Sequence, residues 1–113
     1  MSQKYEIIIK RIQEGKNIDL KEGGNSMTPI IRHREPVTLS PVDTSKLEVG
    51  DIVLARVRGN YYTHLVSALE GERVQISNNH KHVNGWIHRS KVYAIVSAVN
   101  GILRKSATAK IKK

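Results

Sequence analysis

Two residues bring chemistry that the rest of the chain would have to support. Ser26 stands in "GGNSMTP" (residues 23–29), and His64 in the middle of "NYYTHLV" (residues 60–66). A serine hydroxyl attacks a carbonyl only when a neighbouring base takes its proton. It also needs N–H groups aimed at the developing oxyanion. Gly23 and Gly24 allow unusual backbone angles and close approach of a substrate chain. Pro29 suits the first turn of a short helix, which would set Ser26 at a helix N-terminus where free N–H groups gather. On its own the fragment reads more simply as a plain N-cap. Of five histidines, His64 alone is embedded in an apolar strand. A strand is a rigid mount, as a catalytic base requires, though a hydrogen-bonded structural histidine would sit there too. His33 and His88 have charged neighbours and read as solvent-facing. His80 and His82 form an H-x-H pair without a carboxylate or third ligand, so neither a metal nor a cofactor is expected.

Elements must hold these residues. Tyr5, Ile8, Ile9 and Ile12 recur at i, i+3, i+4 and i+7, which predicts a helix over 3–14 that stops at Gly15. Few basic residues on its polar face favour core packing over a membrane-surface role; a dimer seam through Ile7, Ile8 and Ile9 stays open. Strand signals follow. "NIDL" is short, and "PVTLSPV" has proline at both ends and reads as an edge or broken strand. "GDIVLARVRG" and "NYYTHLVSAL" form a hairpin with its turn at Gly59-Asn60. "RVQIS" and "KVYAIVSAVNG" are further strands, and the polar "NNHKHVNGW" between them reads as a loop anchored by Trp86. The expected fold is mainly β, a bent antiparallel sheet or partial barrel with one N-terminal helix. Residues 1–22 form the helix and a lead-in strand, 23–101 the β domain and 102–113 a basic tail, which reads as a solvated, poorly ordered end.

The 113 residues suit one domain with a small core. With no cysteine there is no disulfide framework and no thiolate metal site. No apolar run approaches the roughly 20 residues of a membrane span, and the charged N-terminus is no signal peptide. A soluble, cytoplasmic chain is expected. The formal net charge of +9 favours an acidic protein, a nucleic acid or an anionic surface as partner. Arg32, Arg34, Arg56, Arg58, Arg104, Lys105, Lys110, Lys112 and Lys113 are the candidate contacts. Phe is absent and only Tyr61 and Tyr62 cluster, so a base-stacking platform is poorly supported.

The order "GNSMTPII", "VTLSPV", "LEVGDIVLARV", "YYTHLV", "VQISNN", "VYAIV" resembles the peptidase superfamily shared by LexA-type repressor proteases and type I signal peptidases, over residues 23–97. More narrowly, the string resembles small phage and prophage proteins that carry S-M-x-P. The resemblance implies that Ser26 is the nucleophile and His64 the base, as in the Ser-His branch of the signal peptidases. It implies that Asn78, in "SNN", stands where that branch has an aspartate after the next strand. Asn25, Met27, Asn79 and Asn84 are then expected to contact a peptide or protein substrate, from phage, host or the chain itself. The chain departs from the pattern in having no membrane anchor and only 22 residues ahead of the domain. It also has "HREPVTL" in place of the usual Gly-Asp after S-M-x-P. Two functions follow from these readings. One is a soluble serine endopeptidase with a Ser-His dyad. The other is a catalytically silent binding protein on the same fold, engaging a host protein or nucleic acid through its basic surface.

Overall fold

The apolar stripe at the start of the chain builds α1 (Gln3–Gln13), which buries Ile8, Ile9 and Ile12 and leaves Ile7 half exposed. Ile8 and Ile9 therefore pack inside the chain's own core. Gly15 ends the helix in a left-handed conformation (φ 89°), and the Lys16 N–H closes back on the Arg11 carbonyl at 3.1 Å. The structure is a computed structural model and describes residues 3–112.

Eight strands follow: β1 (Ile18–Lys21), β2 (Pro36–Ser40), β3 (Ile52–Val57), β4 (Asn60–Glu70), β5 (Arg73–Ser77), β6 (Val83–His88), β7 (Val92–Val99) and β8 (Ile102–Leu103). The hydrogen-bonded order is β1-β2-β7-β3-β4-β5-β6, with β8 also paired to β7. The fold is mainly β: a bent antiparallel sheet that does not close, led by one N-terminal helix. Among the described residues no helix is long and apolar enough to cross a membrane. The uninterrupted apolar run of β3 is buried on both faces. Ile52 and Leu54 join α1, β1 and β2 in one core cluster, whereas Val53, Ala55 and Val57 join β5 and Ile95 of β7 in a second. That double burial makes β3, and its hairpin partner β4, a stiff mount for His64.

Four local expectations are corrected. β2 is not an edge but an inner strand, flanked by β1 and β7; it does break, with a bulge between Thr38 and Leu39 and its end at Ser40 before Pro41. Pro36 is tolerated because it is the strand's first residue, where its missing N–H interrupts little. The β3–β4 turn is Arg58-Gly59, one residue earlier than expected, because Val57 pairs with Asn60 and both turn residues take positive φ (51° and 84°). The second half of "NNHKHVNGW" is strand β6, not loop. Trp86 lies there, 38% exposed beneath the Arg73 guanidinium at 4.7 Å, and does not anchor the loop. The C-terminal segment is packed rather than loose. β8 and the short α2 (Lys105–Thr108) return the chain so that Ala107 is buried, Val42 bridges Ile111, and the Lys112 N–H bonds the Pro41 carbonyl.

Candidate active site

The Ser26 segment is a run of turns between β1 and β2, not the short helix its proline suggests. Met27 pins it from below, 5% exposed and packed in the first core cluster. The Ile31 N–H bonds the Met27 carbonyl at 3.0 Å. His33 folds back and accepts the Gly24 N–H at 2.8 Å through Nδ1. A Cβ on Gly23 would meet the His33 ring at 3.0 Å, so the room that Gly23 provides is used by His33.

The loop after β5 clamps the same segment from the other side. The Asn79 N–H donates to the Ser26 carbonyl and its side-chain amide to the Thr28 carbonyl, both at 2.8 Å. His80 Nε2 donates to the Asn25 carbonyl at 2.9 Å. Asn78 folds this loop: its Oδ1 accepts the His80 and His82 N–H groups at 2.8 and 3.0 Å. Asn78 is therefore not the residue that orients the base. Asn25 and Asn79 likewise act through loop bonds and are not among the residues that line the cleft.

The chemistry converges where these loops meet β4. Ser26 Oγ lies 3.1 Å from His64 Nε2, and His64 Nδ1 lies 2.7 Å from Asn84 Oδ1. An amide oxygen only accepts, so Nδ1 carries the ring proton. Nε2 is left with its lone pair facing the serine hydroxyl, the arrangement a general base requires. Asn84 reaches the ring from β6, across β5. Tyr62 stacks on the imidazole with centroids 4.9 Å apart. His64 is only 8% exposed. Burial pushes its pKa below the ordinary 6.5, opposed by the Asn84 hydrogen bond and by the charge of Glu22. The imidazole is thus neutral at pH 7.

A cleft of about 340 Å³ opens beside this pair. Met27, Val37 and Ile31 give it an apolar floor, and Tyr61, Tyr62 and Thr63 line it from β4. Glu22 forms part of the wall and accepts the Thr63 hydroxyl at 3.1 Å. Arg32 and Arg34 stand in the same wall. The other expected basic contacts are scattered. Arg56 lies over the Tyr61 ring at 5.3 Å, and Arg58 sits exposed in the β3–β4 turn. Arg104 donates to the Gly50 carbonyl at 3.2 Å, and Lys105 and Lys112 are exposed. Lys110 is buried, its Nζ 2.6 Å from Asp51 and 2.9 Å from Glu48, so it cannot reach a polyanion. Lys113 lies outside the described residues.

Three residues at this site carry roles that sequence reasoning missed. Glu22, His33 and His80 act through loop bonds formed across 9 to 55 positions, which no local pattern reports. Asn84 was visible only as one of several asparagines. Strand alternation would not have found it: the register of β6 on β5 shifts between Ile76 and Ser77, and Asn84 is the unpaired extra residue there, which strict alternation would set on the face opposite His64. The chain matches no protein-family model and no curated protein.

Proposed function

We propose that this protein is a serine hydrolase that cleaves a peptide bond with Ser26 and His64, in the manner of the LexA and signal peptidase superfamily. One observation carries the reading: Ser26 Oγ, His64 and Asn84 form a continuous hydrogen-bonded line of 3.1 and 2.7 Å, with the ring in the tautomer that accepts the serine proton. Ser26 Oγ attacks the carbonyl carbon as its proton passes to His64 Nε2. The negative charge develops on the carbonyl oxygen. The Ser26 N–H has no hydrogen-bond partner among the described residues and is the donor assigned to it. Collapse breaks the C–N bond, and His64 returns the proton to the departing amine. Water then attacks the acyl carbon, giving one proton to Nε2. The Ser26 C–O bond breaks and the proton goes back to Oγ.

Asn84 fixes the tautomer but carries no charge, so it supports the imidazolium less than a carboxylate would. That neutral partner favours a slow enzyme. It also favours the second reading, a silent binding protein on the same fold.

The test is a serine-directed acylating probe followed by intact-mass measurement. The expected result is one adduct per chain on Ser26, absent from Ser26→Ala. Equal labelling of both proteins would refute the nucleophile.

A further inference from the structure

We infer that the segment bound in the cleft is an acidic peptide, recognised by Lys4, Lys21, Arg32 and Arg34; this rests on the peptidase reading above and adds the charge of the substrate. Those four cations line the cleft beside Ser26 and His64, and only two carboxylates, Glu22 and Glu35, stand with them. Each carboxylate is held by a neutral donor and keeps its charge, so four cations face two anions in the cleft. Glu22 accepts the Thr63 hydroxyl at 3.1 Å, and Glu35 accepts the Arg32 N–H at 3.1 Å. The four cations make no ion pair, with these two carboxylates or any other, among the described residues. Lys4 lies over the Tyr5 ring at 5.4 Å, a contact that leaves its charge unneutralised. No described carboxylate neutralises their head groups.

The backbone presents them without their help. The lip from Ile31 to Glu35 is closed by main-chain bonds. The Arg34 N–H bonds the Glu22 carbonyl at 2.8 Å and the Glu35 N–H the Arg32 carbonyl at 3.0 Å. No guanidinium is needed to hold that turn. Arg34 nevertheless occupies a left-handed position (φ 58°), which glycine or asparagine fills at less strain. Guanidinium forks bind carboxylates bidentately, and a concave wall with an excess of one sign of charge raises the local concentration of the opposite sign.

A nucleic acid would be attracted by the same charges but finds little to stack on. Tyr61 is already stacked on Tyr5 at 5.0 Å and covered by Arg56. Tyr62 lies against His64. An acyl-transfer pair at the centre of the cleft also suits a peptide and has no use for a phosphodiester backbone.

The test is binding to the Ser26→Ala protein by fluorescence anisotropy, with labelled decapeptides of alternating Ala and Glu, Ala and Gln, or Ala and Lys, and with a labelled dT12 oligonucleotide. The Glu peptide is expected to bind about tenfold tighter than the Gln peptide at low salt, the two converging as salt rises. The double variants Arg32→Gln/Arg34→Gln and, independently, Lys4→Gln/Lys21→Gln should each reduce that preference. Lys46→Gln/Lys91→Gln, outside the cleft, should not. Equal affinities for Glu and Gln peptides, no binding of either, or a preference unmoved by both cleft variants would overturn the inference. Tighter binding of dT12 than of the Glu peptide, lost in the same variants, would overturn it in favour of a nucleic acid. Because the readout needs no turnover, it separates the two proposals. A preference for Glu without Ser26 labelling refutes hydrolysis alone, and labelling without a preference refutes the acidic substrate alone.

Discussion

Two buried titratable groups in this small fold have been given opposite partners. His64 sits between a hydroxyl and the amide oxygen of Asn84. Lys110 sits between two carboxylates, Asp51 at 2.6 Å and Glu48 at 2.9 Å. Burial disfavours the charged form of both. At His64 nothing strong enough opposes it, and the pKa falls. At Lys110 burial again pulls downward, but the hydrogen bonds to Asp51 and then Glu48 overcome it, and the pKa rises. The same low-polarity interior therefore keeps one base neutral and one ammonium charged. The neutral one is free to accept a proton from Ser26. The charged one ties the C-terminal segment to the turn before β3 and takes no part in binding.

The largest effects break each side outright. At the cleft, Ser26→Ala should abolish labelling by a serine-directed probe, and His64→Gln should slow it by a factor on the order of 10³ while leaving the fold intact. A His64→Gln protein that labels at the wild-type rate would remove the base from the mechanism. At the other site, Lys110→Met leaves Asp51 buried, 2% exposed, without its cation. That change should destabilise the chain by about 3–5 kcal/mol in urea unfolding. Adding Asp51→Asn removes the second charge and should restore most of the loss. If the double variant is as unstable as the single one, the pair is held by packing and not by charge.

The contrast between these sites also explains what could be read in advance. The helix over 3–13 and the strands of the β3–β4 hairpin follow from apolar spacing and turn residues, which are local. Ser26 and His64 were legible as types in suitable settings, and their order added the rest. Asn84 was legible only as a polar residue, since its role depends on β6 pairing with β5 so that it faces across to β4. The buried Lys110 was read as part of a basic tail, because nothing in "SATAKIKK" reveals that the chain turns back to meet Asp51. Charge counted along a sequence says how many cations there are. It does not say which of them the fold has already paired.

Exchanging partner types gives a smaller and sharper effect. Asn84→Asp would give His64 the kind of partner Lys110 has. The acid limb of the labelling rate should move to higher pH, and the plateau rise by up to about tenfold, the factor for roughly 1.4 kcal/mol of added imidazolium stabilisation. Asn84→Ala should instead slow labelling by about tenfold, because a buried Nδ1–H loses its acceptor. A pH profile shared by the wild type and both of these variants would separate Asn84 from the base altogether.

The smallest effects are linked to pH, and they run in opposite directions at the two sites. The folded pKa of His64 lies below its ordinary 6.5. Between those two values the unfolded chain binds the extra proton, so stability is lost as pH falls below about 6.5 and the loss levels off once the folded value is passed. The folded pKa of Lys110 lies above its ordinary 10.5. Its contribution is complete below 10.5 and is lost as pH rises through the folded value. His64→Gln should therefore flatten the profile just below pH 6.5 and leave the alkaline side unchanged, whereas Lys110→Met should flatten the alkaline side and also alter the profile in the carboxylate range, because Glu48 loses the partner that lowers its pKa. Glu22→Gln tests the remaining influence on the imidazole. The Glu22 charge opposes the effect of burial, so its removal should move the acid limb of labelling further down in pH, by less than Asn84→Asp moves it up. An upward move would mean that Glu22 acts through the Thr63 hydrogen bond and the shape of the cleft, not through its charge.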